Sequence, residues 1–540
     1  MSGGRLHSLA LALALAWPLA AHADAAAYNL TVAPGDTLIG IGRRLLVDPA
    51  SWPEVARANA LRDPNRIGIG TTLHIPLRLL RSDSARASVL SVSGSVQGAD
   101  GAALRPGQGV AAGGAVATGA DGQATIRLVD GTLLHLRPDS RLEVRESLRL
   151  PDVGATRSGA RLDRGRVEIK AAPAQAGQPG FSIDTPQGVL GVRGTEFRVA
   201  AAATTHGEVL EGTVAMAGSP GAAAVPVHAG YGSVIDAGGH VAPPVRLLDA
   251  PGVAGLPTLQ QQVLVRFSPQ PVPGAVAYRG EVARDARFDT VLADVTSATP
   301  QLRFAGLPDG DYVLRVRAID AHGLEGRDAE HAFRLKARPE APLPALPAPH
   351  AVSYGSRVEF GWAGNPDAAH YRLQIAAGAD YGRPLRDLAR VSGTRLAVDG
   401  LAPGVYHWRI ASVRGDGDQG PWGVDRSFDL RPLPATPAAP SVGEHGVTFS
   451  WEGLPGQTFE FEVASDPGFA HRDVEKTLAR PGLTLPLPPP GRYYVRLRAR
   501  DADGYLGPYT SPQSFEIPNC LRDVAGQCVR AGDGTLNLAR

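Results

Sequence analysis

Apolar residues recur over residues 28–76 first with strand periodicity, then with helical periodicity, and then with strand periodicity again. Leu38, Ile41 and Leu45 fall on one face of a helix that Asp36 or Thr37 can cap. The predicted elements are a strand at 28–32, a helix at 37–46, a second helix at 51–60 and a closing strand at 72–76. The pattern therefore predicts a small α+β (βααβ) module.

Helical periodicity disappears from residue 88 to residue 240, where short runs of β-favouring residues alternate with glycine-rich turns. Asp130-Gly131 separates the runs 124–129 and 133–136, and this dipeptide is typical of a two-residue hairpin turn. We predict an all-β domain over 88–240.

Three similar units follow, each after a proline-rich connector, at residues 256–339, 350–432 and 440–518. Each unit has an early aromatic residue and a later tyrosine that lie 45, 44 and 42 residues apart. The pairs are Phe267 and Tyr312, Trp362 and Tyr406, and Trp451 and Tyr493. Units of this length with several short strands indicate β-sandwiches. The predicted fold class is a multi-domain chain with one α+β module, one all-β domain and three sandwich repeats.

The N-terminus has the features of an export signal over residues 1–23. An apolar run from Leu9 to Ala20 precedes Ala21-His22-Ala23, which has the small-x-small form of a signal-peptidase site. Cleavage is expected before Asp24, although a buried N-terminal helix is the alternative. No later apolar run is long enough to span a bilayer, so we expect a periplasmic protein without a transmembrane segment in its mature chain.

Charge and cysteine content restrict the partners and the chemistry. The chain has 54 basic and 53 acidic residues, a balance that gives no reason to expect nucleic acid as a partner. Its two cysteines, Cys520 and Cys528, lie in the tail over 519–540 and are expected to form one local disulfide in an oxidising compartment. We predict no metal and no cofactor.

The first module resembles the LysM family. The residues that carry the resemblance are Val32, Gly35-Asp36-Thr37-Leu38, Ile41, Trp52-Pro53-Glu54-Val55, Asn59, Gly70, Leu73 and Ile75-Pro76. Thr71 departs from the glutamine usual in the family, and Gly40 and Gly42 are unfavourable within a helix.

The LysM resemblance implies binding of N-acetylglucosamine-containing glycans such as peptidoglycan in a shallow groove between two loops, here 33–38 and 63–67. Leu38 and Ile67 are expected to contact sugar faces. The candidate glycan-binding residues are Gly35, Asp36, Thr37, Leu38, Asn65, Arg66 and Ile67. The alternative is that Gly35, Asp36 and Thr37 only cap the helix.

The all-β domain resembles the FecR family of periplasmic sensors. The matching blocks are Asp130-Gly131-Thr132, Pro138 and Ser140, Gly165-Arg166-Val167, the run from Phe181 to Val199, and Glu211-Gly212-Thr213-Val214. Arg193 lies between Gly191 and Gly194 and is expected to bond turn carbonyls, because both glycines are expected at positions of unusual backbone conformation. Signalling by members of this family needs a cytoplasmic anti-sigma segment and a membrane span, and we find neither in the sequence, so we expect a protein-binding or structural role here.

The repeats resemble fibronectin type III or Ig-like modules in pattern. No catalytic motif is present, which favours a non-enzymatic protein. The preferred hypothesis is an envelope protein that binds peptidoglycan and uses its other domains to bind an unidentified envelope protein. The alternatives are a periplasmic signalling component and, more weakly, a glycan-processing enzyme.

Overall fold

The computed structural model describes residues 27–173, 180–192, 194–219, 222–443, 446–519, 529–531 and 534–535. The signal segment, Arg193, Cys520 and Cys528 lie outside these residues. The chain divides into two compact units, residues 1–335 and residues 336–540. The predicted fold class is confirmed, because a small α/β module precedes an all-β remainder.

The first module has the predicted order of elements. They are β1 (Ala27–Thr31), α1 (Leu38–Leu45), a 3-10 turn (Pro49–Ser51), α2 (Trp52–Ala58) and β2 (Thr72–Pro76). Strands β1 and β2 pair antiparallel. Thr37 is the N-cap of α1, and its hydroxyl accepts a hydrogen bond from the Gly40 N–H at 3.0 Å. Gly42 is required in α1, because a Cβ there would lie 2.8 Å from the Pro49 carbonyl oxygen.

The hydrophobic core of this module continues beyond Pro76. Leu77 and Leu80 are buried in it, together with Leu150 and Ala155 from the next domain. Arg81 also donates hydrogen bonds to the carbonyl oxygens of three residues at the end of α1, namely Arg43, Arg44 and Leu46. The module is therefore packed against the hairpin that contains Leu150 and Ala155.

The next domain is built of strands, apart from one 3-10 turn. They are β3 (Asp83–Ser84), β4 (Ala87–Ser93), β5 (Val96–Gly98), β6 (Gly109–Val110), β7 (Ala115–Thr118), β8 (Gln123–Arg127), β9 (Leu133–Leu136), β10 (Arg141–Leu150), β11 (Ala155–Lys170), β12 (Phe181–Asp184), β13 (Val189–Val192), β14 (Glu196–Ala201), β15 (Thr205–Glu211), β16 (Thr213–Ala217), β17 (Val225–His228), β18 (Tyr231–Ile235) and β19 (Val245–Arg246). The 3-10 turn (Pro151–Val153) lies between β10 and β11. We call this domain the β-domain.

The long strand β11 passes from one sheet of the β-domain to the other. Its first part pairs with β10 and β12, whereas Gly165–Lys170 pairs with β14. The change of sheet occurs at Gly165, where φ is +90°. A Cβ at Gly165 would lie 2.5 Å from Ser140 Cα, so only glycine fits at this corner.

Two sequence expectations about glycines differ from the structure. Strands β8 and β9 do form the predicted hairpin, but the Leu128 N–H bonds to the Thr132 carbonyl, so the loop has three residues and Gly131 has φ +94°. Gly191 lies within a regular strand with open space beside it, and only Gly194 has a positive φ. The expectation of unusual backbone at Gly191 is therefore wrong.

Three two-sheet sandwiches follow. The strands of the first are β20 (Leu259–Gln260), β21 (Val265–Phe267), β22 (Ala277–Ala283), β23 (Val291–Ser297), β24 (Leu302–Phe304), β25 (Gly310–Ile319) and β26 (Ala329–Leu335). Those of the second are β27 (Pro344–Leu346), β28 (Ala351–Tyr354), β29 (Val358–Trp362), β30 (His370–Ala376), β31 (Arg386–Val391), β32 (Arg395–Val398), β33 (Gly404–Val413), β34 (Gln419–Trp422) and β35 (Arg426–Arg431). Those of the third are β36 (Ser441–Gly443), β37 (Gly446–Ser450), β38 (Thr458–Ala464), β39 (Arg472–Leu478), β40 (Gly482–Leu485), β41 (Gly491–Arg500) and β42 (Gln513–Ile517). A short hairpin of β43 (Arg530–Ala531) and β44 (Gly534–Thr535) lies in the tail.

The repeated tyrosine has the same role in all three sandwiches. The hydroxyls of Tyr312, Tyr406 and Tyr493 donate to the carbonyl oxygen four residues earlier, at 2.5, 2.7 and 3.0 Å. Each ring stacks on a phenylalanine of the neighbouring strand. The early aromatic residues are buried as well. The near-constant spacing in the sequence thus reflects a repeated packing arrangement of the kind found in β-sandwiches.

We predict that Gly165→Ala destabilises the β-domain by about 3 kcal/mol or more, because the methyl group overlaps Ser140 and the backbone conformation becomes strained. Scanning calorimetry of the full chain should show a lower midpoint for the transition that contains this domain.

The matched control is Gly191→Ala, where a Cβ meets no atom within 4 Å. This substitution should change the free energy of unfolding by no more than about 0.5 kcal/mol. Equal effects of the two substitutions would contradict the assignment of Gly165 as the corner.

Candidate glycan-binding site

The two predicted groove loops begin at one backbone pairing. Immediately after β1, the Val32 N–H donates to the Thr71 carbonyl at 2.9 Å, and the Val32 carbonyl accepts from the Gly70 N–H at 2.9 Å. Loop 33–37 leaves this pairing on one side, and the segment 63–71 reaches it on the other. The pairing therefore places both loops at the same end of the β1–β2 ribbon.

The first loop is a closed turn. The Asp36 carboxylate accepts a hydrogen bond from the Ala33 N–H at 2.9 Å and one from Arg44 at 3.2 Å. The backbone hydrogen bond from Ala33, with the nearby Arg44, holds the pKa of Asp36 below its ordinary value. Gly35 is exposed with φ +89°. Asp36 therefore closes the turn and Thr37 caps the helix, while glycan binding by the same residues stays a prediction.

The second loop exposes polar side chains above an apolar contact. Asp63 accepts the Asn65 N–H at 3.0 Å, and its carbonyl accepts the Arg66 N–H at 3.1 Å, which forms a tight turn. The Asn65 and Arg66 side chains are exposed. Ile67 is half-buried and packs against the core of the module.

The apolar side chains that are exposed at the two loops are not the ones that were expected to contact sugar. Leu38 is only 3% exposed and belongs to the core, so its side chain cannot contact a sugar. Its neighbour Ile39, in the first turn of α1, is 46% exposed, and Ile69, two residues after the second loop, is 68% exposed. Helical periodicity could have indicated Ile39, since it lies one position off the buried face of α1.

Asn59 of the LysM motif has a structural role. Its side chain donates to the carbonyls of Val55 and His74 and accepts the His74 N–H, at distances of 2.8, 2.8 and 2.7 Å. One amide thereby joins the end of α2 to β2. The sequence carried no signal for this role beyond the motif itself.

Together the loops and the residues beside them present exposed polar residues, two exposed isoleucines and few charges. Such a surface can donate to and accept from acetamido and hydroxyl groups while covering the apolar faces of sugar rings. Among the described residues, no group of three or more His, Cys, Asp or Glu side chains could hold a metal ion. Within the same residues, no helix has the length and apolar character needed to cross a membrane.

Comparisons with known families agree with the two resemblances. Residues 30–76 match the family model described as LysM domain, and residues 114–215 match the model described as FecR protein. No curated protein matches the chain.

Among solved structures, two of a candidate anti-sigma factor from Parabacteroides distasonis match 24% of this chain at 16% and 17% identity, with TM-scores of 0.20 and 0.21. The chain spans 59% of the length of those proteins. The FN1–FN3 domains of chicken CNTN1 match 50% of this chain and 99% of their own length, at 15% identity and a TM-score of 0.20. The chain thus contains a LysM domain at residues 30–76 and a FecR-family segment at residues 114–215, followed by β-sandwich repeats.

Proposed function

We propose that this protein is a non-catalytic component of the bacterial cell envelope that binds peptidoglycan through its LysM domain. The observation that carries the proposal is the pair of exposed loops held at one end of the ribbon by Val32, Gly70 and Thr71. The residues proposed to bind glycan are Gly35, Asp36 and Thr37 in the first loop and Asn65, Arg66 and Ile67 in the second, with Ile39 and Ile69 added in place of Leu38.

The two loops suit a neutral ligand. Asp36 is already bonded to Ala33 and Arg44, so it contributes little charge to an incoming glycan. Ile39 and Ile69 are apolar side chains in solvent, and covering them with sugar faces would remove apolar surface from water. Affinity should then arise from apolar contact and from hydrogen bonds to backbone groups.

The remaining domains support binding of other proteins. We propose export by the signal segment 1–23, residence in the periplasm, and presentation of the FecR-family and sandwich domains to envelope proteins. The FecR-family match favours one second candidate, a periplasmic signalling role.

We predict that the full mature chain co-sediments with purified sacculi and that chitin oligosaccharides compete for it. Ile39→Asp and Ile69→Asp should each weaken binding about fivefold to tenfold. In the wild type the bound glycan covers an aliphatic side chain, whereas in each variant it would have to remove water from a carboxylate. The matched control is Val47→Asp, since Val47 is 66% exposed in the same domain but outside both loops. Binding is measured as the fraction sedimented against the sacculus concentration.

Circular dichroism confirms that each variant is folded. The proposal fails if the folded wild type stays in the supernatant at every concentration, or if Val47→Asp weakens binding as much as the loop variants do. Raising the salt concentration should have little effect, because the loops contain only Asp36, Asp63 and Arg66 as charges.

A second prediction concerns export. The Ala21-His22-Ala23 site should be cleaved, so the protein recovered from envelopes should begin at Asp24. N-terminal sequencing measures this directly, and a mature protein that keeps Met1 would refute periplasmic residence by this route.

A third prediction concerns the tail. Cys520 and Cys528 should be oxidised to each other, so a thiol reagent should label the native protein only after reduction. The labelled mass is read by mass spectrometry, and stoichiometric labelling without a reductant would disprove the bond. Its stabilising effect should be small, because the closed loop is short.

A further inference from the structure

The polar face of the β-domain is covered by the first sandwich of the same chain. At one edge of this contact, the Gln123 side chain accepts the Val291 N–H at 2.9 Å and donates to the Val291 carbonyl at 2.5 Å. Two hydrogen bonds to one residue fix the position of the sandwich strand β23 against β8. The contact is therefore specific.

Charged side chains form the centre of this contact. Glu168 of β11 pairs with Arg137 of its own domain at 2.6 Å and with Arg315 and Arg317 of the sandwich at 3.0 and 3.3 Å. The two sandwich arginines also pair with Glu281, whose side chain is 1% exposed. Replacing one partner of these pairs by an apolar residue would leave a buried charge without its counter-charge, which is strongly unfavourable.

A second group of charges lies beside the first. Arg198 of the β-domain pairs with Asp328 at 2.7 Å and donates to the Gly326 carbonyl at 2.9 Å. Arg166 pairs with Glu325 at 3.0 Å. Glu325 in turn pairs with the sandwich residues Arg317 and Arg279 at 2.7 and 3.0 Å.

Glu208 differs from the other buried carboxylates of the contact. It is 3% exposed, and among the described residues its carboxyl accepts one hydrogen bond, from the Glu325 N–H at 3.2 Å. Arg198 faces it across the β14–β15 pairing, but the Arg198 guanidinium bonds to the sandwich. In the described part of the chain, no arginine forms an ion pair with Glu208.

We propose that the first sandwich is the partner of the β-domain within the same chain, and that a proton held by Glu208 controls their docking. At neutral and mildly acidic pH the carboxyl is protonated and the contact is closed. As the pH rises towards the alkaline range, ionisation of this buried carboxyl, which forms no ion pair among the described residues, increasingly opposes docking, and the contact weakens.

The surroundings of Glu208 support this assignment. It lies on β15 between Arg198 of β14 and the sandwich residues Glu325 and Arg317. An adjoining cavity of about 110 Å³ is lined by further charged or titratable groups, namely Arg137, Arg166, Glu168, His206 and Arg279. Burial and the charge of Glu325 raise the pKa of Glu208 to about 8, against the smaller opposite effects of Arg198 and Arg317.

The sign of the pH dependence follows from this shift. A solvated Glu208 would lose its proton near pH 4.5, whereas the docked state keeps it to about pH 8. Docking should therefore weaken about tenfold for each pH unit between these values and change little above pH 8. The pKa values of His135 and His206 are lowered mainly by burial, so their protonation opposes docking only on the acidic side, below about pH 6.5.

The test is hydrogen exchange of the full chain at pH 7.0 and 8.5, corrected for the intrinsic exchange rate and followed by mass spectrometry. Peptides that cover 123–137, 164–170 and 285–292 report the contact, and peptides of β12 and β13 report the opposite sheet. In the wild type, exchange at the contact should become about tenfold faster at pH 8.5, while β12 and β13 stay protected.

Glu208→Gln keeps the shape of the neutral carboxyl and should change less than twofold between the two pH values. The matched control is Glu211→Gln, an exposed residue of the same strand, which should behave as the wild type does. The proposal is overturned if wild-type protection is the same at both pH values, or if Glu208→Gln loses protection as the wild type does.

Infrared spectroscopy gives an independent measurement. The wild type should show a protonated carboxylic acid band at pH 7.0 that disappears near pH 8 and is missing in Glu208→Gln. If the wild type and Glu208→Gln give identical spectra in this region at pH 7.0, the proposal is wrong even if the variant is less stable. Sedimentation with sacculi should not change in this variant, so failure here is distinguishable from failure of glycan binding.

Discussion

The path of β11 is the constraint on which the rest of residues 27–335 depends. Its first residue, Ala155, is buried in the core of the LysM domain. At Gly165 the strand turns from one sheet of the β-domain to the other, and three residues later Glu168 reaches the contact with the first sandwich. A single strand thus takes part in three packing regions, so a change at its corner affects all of them.

Charged side chains determine how the β-domain meets its sandwich. Buried ion pairs add little net stability when compared with apolar side chains of equal size, but removal of one partner is costly. The arrangement around Glu168 and Glu281 therefore specifies which surface docks and in which orientation. Glu208 is the exception within this arrangement, and an unpaired buried carboxyl makes the contact responsive to protons.

The sequence predicted helices and strands well where the regularly spaced apolar residues of an element pack into one core, as Leu38, Ile41 and Leu45 of α1 do. It did not predict the covered face of β11. Arg166 and Glu168 alternate there with Val167 and Ile169, and the same alternation describes a strand with one face in water. The alternation of polar and apolar residues along a strand cannot show whether the polar face contacts water or a complementary charged surface of another domain. The exposure of Ile39 was missed for a different reason, because the motif identifies Leu38, and the helical periodicity that places Leu38 in the core and Ile39 in solvent was not applied to the choice of sugar contacts.

The LysM domain and the sandwich contact are connected by packed structure. Leu150 and Ala155 join the LysM core to the β10–β11 hairpin, and Arg81 bonds to the end of α1. Because these contacts are buried and hydrogen-bonded, the proposed glycan-binding loops and β11 belong to one packed structure within the described residues 27–173. Attachment of the loops to the cell wall would therefore also orient the β-domain and the proton-sensitive contact on its polar face. Binding at the wall and exposure of that face would then be properties of one folded unit, although the sequence pattern predicted only the separate domains and not the packing between them.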